Sequence, residues 1–265
     1  MPSVSNIAIG ANMAAAAGSK ARHGMNESIA RLSTGIRAMY GGDSAGHSVG
    51  TTHNAQAKSY AAATRNIEDG ISYAQTGESV LLEVANLAIR LRELGIAYDN
   101  VGLLDANQTA AQDAEAALIF DTVDALLTNT KFNNVAVVGS AGAVQKGIAY
   151  EGNSGTTFNV GPNTNIAAVT GNSAADGADG HADTLLGSVA TALGNIAADL
   201  TALKAFQGAS SATSANLMAT SARIIDTDFA EETASLTKNA ILNQAALSMA
   251  AQANQAQSAI LSVLQ

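Results

Sequence analysis

The last stretch of the chain, Asn239 to Gln265, contains no charged side chain, yet Leu242, Ala246, Met249, Ala253, Ala256, Ile260 and Val263 recur alternately four and three residues apart. Steps of that size put these side chains on one face of an α-helix, as in the seam of a coiled coil. The knobs are largely alanine, which lets a partner backbone come close, and Gln244, Gln252, Asn254, Gln255 and Gln257 supply neutral polar edges. A helix surrounded by water normally carries Glu and Lys on its outer face. An amphipathic helix without them is one whose circumference is covered by other chains, so the end of the sequence reads as an assembly surface.

The beginning shares the peculiarity, because Met1 to Ser19 is also free of charge. Met25, Ile29, Leu32, Ile36 and Met39 form a second seam that runs to Gly41-Gly42, where a helix should stop. A rod of this kind, on the order of 50 Å long at about 1.5 Å per residue, cannot bury its seam alone. The two ends are therefore expected to pair.

Gly41 to His53, rich in Gly, Ser, Thr and His, reads as a loop. Val80, Val84, Leu87, Leu91 and Leu94 form a third seam and Ala116, Ile119, Val123 and Leu126 a fourth, with Gly95 to Gln108 as the turn between them. From Lys131 to Val169 the pairs Val135 with Val137, Ile148 with Tyr150 and Phe158 with Val160 alternate at period two between Gly, Asn and Ser, which predicts one or two short hairpins. Asn163 to Asp183 is the loosest stretch, and Val189, Leu193, Ile196, Leu200 and Leu203 begin a fifth seam. The fold class this implies is mainly α: a long antiparallel helical bundle with coiled-coil rods and a small β-hairpin region, both chain ends at one pole and the hairpins at the other.

Charge and composition narrow the function. Cysteine is absent, which excludes disulfide staples, Cys-ligated zinc and thiol chemistry. The net charge of -9 hides a basic arm: Lys20, Arg22, Arg31, Arg37, Lys58 and Arg65 face only Glu27 and Asp43 in the first 65 residues. These cations are dispersed, without stacking aromatics, on an acidic chain, which disfavours nucleic acid. No stretch approaches the roughly 20 apolar residues of a membrane span. Ile7 to Gly18 imitates a secretory signal, but its positive charge follows it at Lys20 and Arg22 and Asn12 interrupts it, so a cleaved signal is not expected and any export implies another route.

Candidate chemistry is sparse. Gly42-Asp43-Ser44-Ala45-Gly46 fits the G-x-S-x-G turn that exposes a nucleophilic serine, with Asp176 or Asp179 and His181 as partners for a serine hydrolase. That turn needs a strand before it, and this one follows a helical seam. His47 and His53, six apart, match neither helical nor strand metal-ligand spacing. Gly139 to Gly147 lacks the glycine spacing of a phosphate loop. No catalytic, cofactor or metal site is expected. Arg90, Glu93, Leu94 and Ala97 share one strip of the third helix, beside its seam.

Several segments together resemble bacterial flagellin. Near the start these are Arg31-Leu32-Ser33-Thr34-Gly35-Ile36-Arg37, Asp43-Ser44-Ala45-Gly46, Arg65 to Ser72, Gln75 to Glu78, Arg90-Leu91-Arg92-Glu93-Leu94 and Phe132-Asn133. Near the end they are Ala222 to Glu232 and Ala251-Gln252-Ala253-Asn254-Gln255. The resemblance covers roughly residues 25–135 and 215–265. Gly41-Gly42 and Ser44 depart from the family pattern at the first helix break.

The resemblance implies an inner filament-core domain of paired terminal helices, residues 1–42 and 228–265, and an outer domain, residues 43–227, with a short variable tip at about 138–184. It implies a secreted subunit of the extracellular bacterial flagellum that polymerises with its own copies for swimming motility. Ile29, Leu32, Ile36, Leu242, Ala246, Met249, Ala253, Ala256, Ile260 and Val263 would carry polymerisation. The implied partners are the flagellar export apparatus, an export chaperone, the filament cap and hook-associated proteins. Arg90, Arg92, Glu93 and Leu94 would contact neighbouring subunits and, in some members, the innate-immune receptor that senses flagellin. A hook-filament junction protein of the same architecture is the alternative, and a hydrolase using Ser44 a remote one.

Overall fold

The computed structural model describes residues 3–37, 43–138, 144–147, 157–161, 166 and 174–264. Five long helices dominate the described residues: α1 (Ser3–Thr34), α2 (Ser44–Tyr98), α3 (Ala106–Asn129), α4 (Ala178–Ile225) and α5 (Phe229–Leu264). Four short strands, β1 (Lys131–Phe132), β2 (Val135–Ala136), β3 (Val144–Gly147) and β4 (Thr157–Val160), lie between α3 and α4. The chain forms two compact units, residues 1–55 with 217–265 and residues 56–216.

In the second unit the seams legible in the sequence are the core. Val84, Leu91 and Leu94 of α2, Ala116, Ile119 and Val123 of α3, and Val189, Ile196 and Leu203 of α4 are all buried in one cluster. Asp105 starts α3 through a capping box: its carboxylate accepts from the Asn107 and Gln108 amides at 2.8 Å, and the Gln108 side chain accepts from the Asp105 amide at 3.1 Å. β1 and β2 pair antiparallel across Asn133-Asn134, both with positive φ, the backbone of a tight primed turn. The Tyr73 hydroxyl donates to the Ala136 carbonyl at 2.8 Å, tying this hairpin to α2, and burial pushes its phenol pKa up. β3 pairs antiparallel with β4, Val144 opposite Val160. Two hairpins are thus present; Ile148 and Tyr150 lie outside the described residues.

Several expected breaks are helix instead. Ser44 to His53 opens α2 and is not a loop. Gly50 there meets Ile225: an added Cβ would stand 2.3 Å from its Cγ1, so the glycine makes room for a neighbour. Gly95 likewise lies inside α2, which runs on to Tyr98, because it faces the backbone of Ala178 and Asp179. The connection to α3 is correspondingly short, with one 3-10 turn at Val101–Leu103. α4 begins at Ala178, so the end of the stretch read as loosest is also helical. α4 further corrects the hydropathy reading: it holds an 18-residue window with mean hydropathy 1.3, long and apolar enough by composition to pass as a membrane span. Its alanines raise that value, and Ala182, Leu185, Val189, Ala192 and Ile196 pack in the core.

Candidate functional site: the paired terminal helices

The first unit is built on α1 and α5, which pair antiparallel. Three contacts in succession give the direction. A Cβ on Gly18 would stand 3.3 Å from the Ala246 Cβ, a Cβ on Gly24 would stand 2.6 Å from the Asn239 amide nitrogen, and the Arg31 guanidinium lies 3.6 Å from the Glu232 carboxylate. Close approach of the two backbones depends on side chains this small.

The shared face is a heptad on both helices. Ala14, Gly18, Ala21, Met25, Ser28 and Leu32 of α1 are buried or half-buried, and so are Glu232, Leu236, Asn239, Asn243, Ala246, Ala250 and Ala253 of α5. Polar groups punctuate it. The Asn243 Oδ1 is buried without a hydrogen-bond partner, and Glu232 Oε1, also without one, has only the longer ion pair to Arg31. A buried asparagine at such a position selects one register at some cost in stability.

The sequence-predicted seams are divided by this arrangement. Leu32, Ala246 and Ala253 lie on the shared face. Ile29, Leu242, Met249 and Ala256 are exposed, Leu242 at 48% and Met249 at 63%. Ile9, Met13, Ile241 and Leu247 are exposed with them. Ile36 has left the helix and bridges Asp226. Ile260 and Val263 lie in the last turns of α5, their side chains outside the described part, and Met39 is outside it altogether. Scoring by bulk selects the outward stripe. The inner one is written in Gly, Ala, Ser and Asn, and the signal that could have found it is the same four-and-three step traced through small residues.

The segments between helices are joined to each other. Gly35, at φ +71°, ends α1 in the left-handed conformation suited to glycine. The Thr227 amide donates to the Gly35 carbonyl at 2.9 Å, and the Arg37 amide donates to the Ile225 carbonyl at 2.7 Å. The Arg37 guanidinium reaches the Ile224 carbonyl at 3.1 Å and Asp43 at 3.2 Å. Asp43 and Asp228 cap the following helices, accepting from the Gly46 amide at 2.8 Å and the Ala230 amide at 2.9 Å. The Arg31 to Arg37 and Asp226 to Glu232 segments therefore meet as one joint.

This joint accounts for the serine motif. Asp43 is a helix cap and Ser44 the first residue of α2; Ser44 belongs to the first unit, whereas Asp176, Asp179 and His181 belong to the second. The His181 ring stands edge-on to Phe120, centroids 6.1 Å apart. His47 and His53 lie on α2. In the second unit, Arg90 pairs with Glu115 of α3 at 2.7 Å and with Glu93 at 3.1 Å, and Arg92 pairs with Asp183 of α4 at 2.9 Å. Hydrogen bonds to Glu115 and then Glu93 push the Arg90 pKa further up. Leu94 is buried in the core cluster.

Comparison with known proteins agrees with the geometry. Residues 5–138 match the bacterial flagellin N-terminal helical region and residues 180–264 the bacterial flagellin C-terminal helical region. Flagellin of Shigella flexneri is 31% identical over 174 residues, covering 60% of this chain and 31% of that protein. Flagellin of Escherichia coli O127:H6 is 32% identical over 142 residues, covering 53% of this chain and 25% of that protein. The chain thus spans a third or less of the length of these relatives. The crystal structure of Bacillus cereus flagellin is similar at 20% identity and a TM-score of 0.38, covering 58% of this chain and 88% of that one.

Proposed function

The chain belongs to the bacterial flagellin family, and from that membership we propose that it is a structural subunit that polymerises into the extracellular flagellar filament and serves swimming motility. One observation carries the proposal. With α1 and α5 already paired, Met13, Ile241, Leu242, Leu247 and Met249 still face outward, in stretches, residues 1–19 and 239–265, that bear no charge. Apolar side chains left exposed on charge-free helix stretches favour contact with another molecule, and their supply in every copy makes the same chain the natural occupant.

The polymerisation interface is assigned to Ile29, Leu242, Met249 and Ala256, with Ile36, Ile260 and Val263 continuing it. Leu32, Ala246 and Ala253 support it by holding the helix pair together. Residues 1–42 and 228–265 form the filament core in this reading, and residues 43–227 the outer domain. Family membership supports an export apparatus, an export chaperone, a cap and hook-associated proteins as further partners, and it supports a structural role for the chain. Arg90, Arg92 and Glu93, each about half exposed, are the groups through which a neighbouring subunit or an immune receptor would read α2.

Deleting residues 239–265 tests the assignment. The truncated chain is expected to stay soluble under conditions in which the full chain sediments as filaments. Filaments of normal thickness from it, seen by electron microscopy, would refute the role given to α5.

A further inference from the structure

Where the first part of α2 meets the last part of α4, hydrogen bonds take the place of apolar knobs. Gly50, His53, Ala57 and Tyr60 of α2 are buried or half-buried at alternating three- and four-residue steps, and so are Ser210, Ser214, Leu217 and Ser221 of α4. The Ser214 hydroxyl donates to the Ala57 carbonyl at 2.9 Å and the Ser221 hydroxyl to the Gly50 carbonyl at 2.8 Å, both bonds buried. Seven residues along one helix are matched by seven backwards along the other, so the two bonds together select one antiparallel register.

These contacts can be broken at little cost. Over residues 46–64 and 207–224 no side chain larger than serine is fully buried, and the apolar core cluster starts at Ile67 on α2 and ends at Leu203 on α4. Parting the two faces therefore exposes little apolar surface. It strands no polar group either. A helical carbonyl has a second lone pair beside the one its own helix engages, so α2 keeps its backbone bonds with or without the serines. A released serine can turn to the carbonyl four residues back on its own helix, as the Thr213 hydroxyl does to Ala209 at 2.8 Å.

We propose that this stretch is a reversible latch: Ser214 and Ser221 hold α4 to α2 in one register, and the two faces part and reclose while the core cluster and the joint at Arg37 stay formed. The ends of the latch are held by other means. Arg37 binds the Ile224 and Ile225 carbonyls at the end of α4, and Ala178 to Leu203 of the same helix carry the core cluster. In sequence the latch lies between these two attachments, so a pull on the joint is taken up by local opening before the core is unpacked. The device belongs to the single chain and requires no second copy.

Amide exchange of the full natural chain in dilute solution, followed at increasing urea, tests the latch. The amides of residues 50–60 and 210–221 are expected to exchange through an opening with a shallow urea dependence, faster than those of Leu91 and Ile196, which wait for global unfolding. Ser214→Ala combined with Ser221→Ala, its folding checked by helical circular dichroism, should speed exchange in those two stretches on the order of tenfold and leave Leu91 and Ile196 unchanged, because only two hydrogen bonds of modest net strength are lost. In the natural chain, exchange in the two stretches with the rate and urea dependence of Leu91 overturns independent opening. A double-serine variant whose latch amides exchange no faster than before, or whose Leu91 and Ile196 amides quicken equally, overturns the role given to the two hydroxyls.

Discussion

Gly95→Ala adds one methyl group where two backbones touch. The new Cβ would lie 2.4 Å from the Asp179 amide nitrogen, 2.9 Å from its Cβ and 3.1 Å from the Ala178 carbonyl carbon. Real Cβ contacts fall at about 3.4 Å or more, so α2 and the first turn of α4 must part by about 1 Å. Neither side can yield by rotating a side chain, and Ala178, Ala182 and Leu94 are already packed there. Overpacking of this kind is destabilising by about 1–3 kcal/mol, and the upper end applies where backbone meets backbone. Alanine recovers about 1 kcal/mol in helix propensity, leaving a net loss of about 2 kcal/mol. Gly194→Ala is the control: identical chemistry in open space, with a gain of about 1 kcal/mol. For a unit of residues 56–216, the two variants should differ in Tm by roughly 6–12 °C, at about 2–4 °C per kcal/mol. Thermal unfolding followed by helical circular dichroism, in dilute solution where no polymer forms, measures this. A Gly95→Ala protein as stable as Gly194→Ala would refute the close approach of α2 and α4.

Burial raises the Asp199 pKa, and the Gly161 amide, donating at 3.0 Å, only partly opposes it. A folded pKa above the unfolded one means that this carboxyl favours folding at low pH and that the advantage is lost as pH rises through the folded value. Asp199→Asn, which keeps an acceptor for Gly161, should therefore raise Tm at neutral pH and leave it unchanged well below the ordinary carboxyl range; a lowered neutral-pH Tm would contradict the sign. Glu232→Ala removes the cross-helix partner of Arg31 and should loosen the terminal pair by about 1 kcal/mol or less, read as faster amide exchange at Ser28 and Asn239. Asn243→Leu removes a side-chain oxygen buried in the seam without a hydrogen-bond partner. It should stabilise the pair while weakening its register, so that disulfides between cysteines at 18 and 246 form less selectively than in the parent pair.

Along the seams of the second unit the sequence was a faithful guide, because there bulk and burial coincide. The steps through Val84, Leu91, Ile119, Val123, Val189 and Ile196 are the packed faces. Glycine was the misleading residue. Gly50 and Gly95 occur where another segment comes close, a use that depends on residues more than eighty positions away and is invisible locally. At the ends, bulk and burial part company. Leu242 and Met249 mark an outer stripe, while Gly18, Ala21, Asn239 and Asn243 form the inner one. The motif segments were legible as a resemblance, but their physical reason is tertiary: the Arg37 amide donates to the Ile225 carbonyl and the Thr227 amide to the Gly35 carbonyl, partners far apart in the sequence.

The inner stripe has an energetic consequence. Ordering a helical residue costs about 1–2 kcal/mol in backbone entropy, and burying an alanine methyl returns well under that. A seam of Gly18, Ala14, Ala21, Ser28, Asn243 and Ala246 therefore holds α1 to α5 only marginally within one chain. The missing stabilisation is available on the outside, where half-exposed Ile29 and Leu242 and more exposed Met249 would each add about 1 kcal/mol or more when covered. Amide exchange should accordingly be fast along α1 and α5 in dilute solution, slow along buried stretches of α2 and α4, and slow everywhere once the chain is polymerised. Equal protection at Ala21 and Leu91 in the dilute protein would show that the helix pair is self-sufficient, and the coupling of terminal order to assembly would fall.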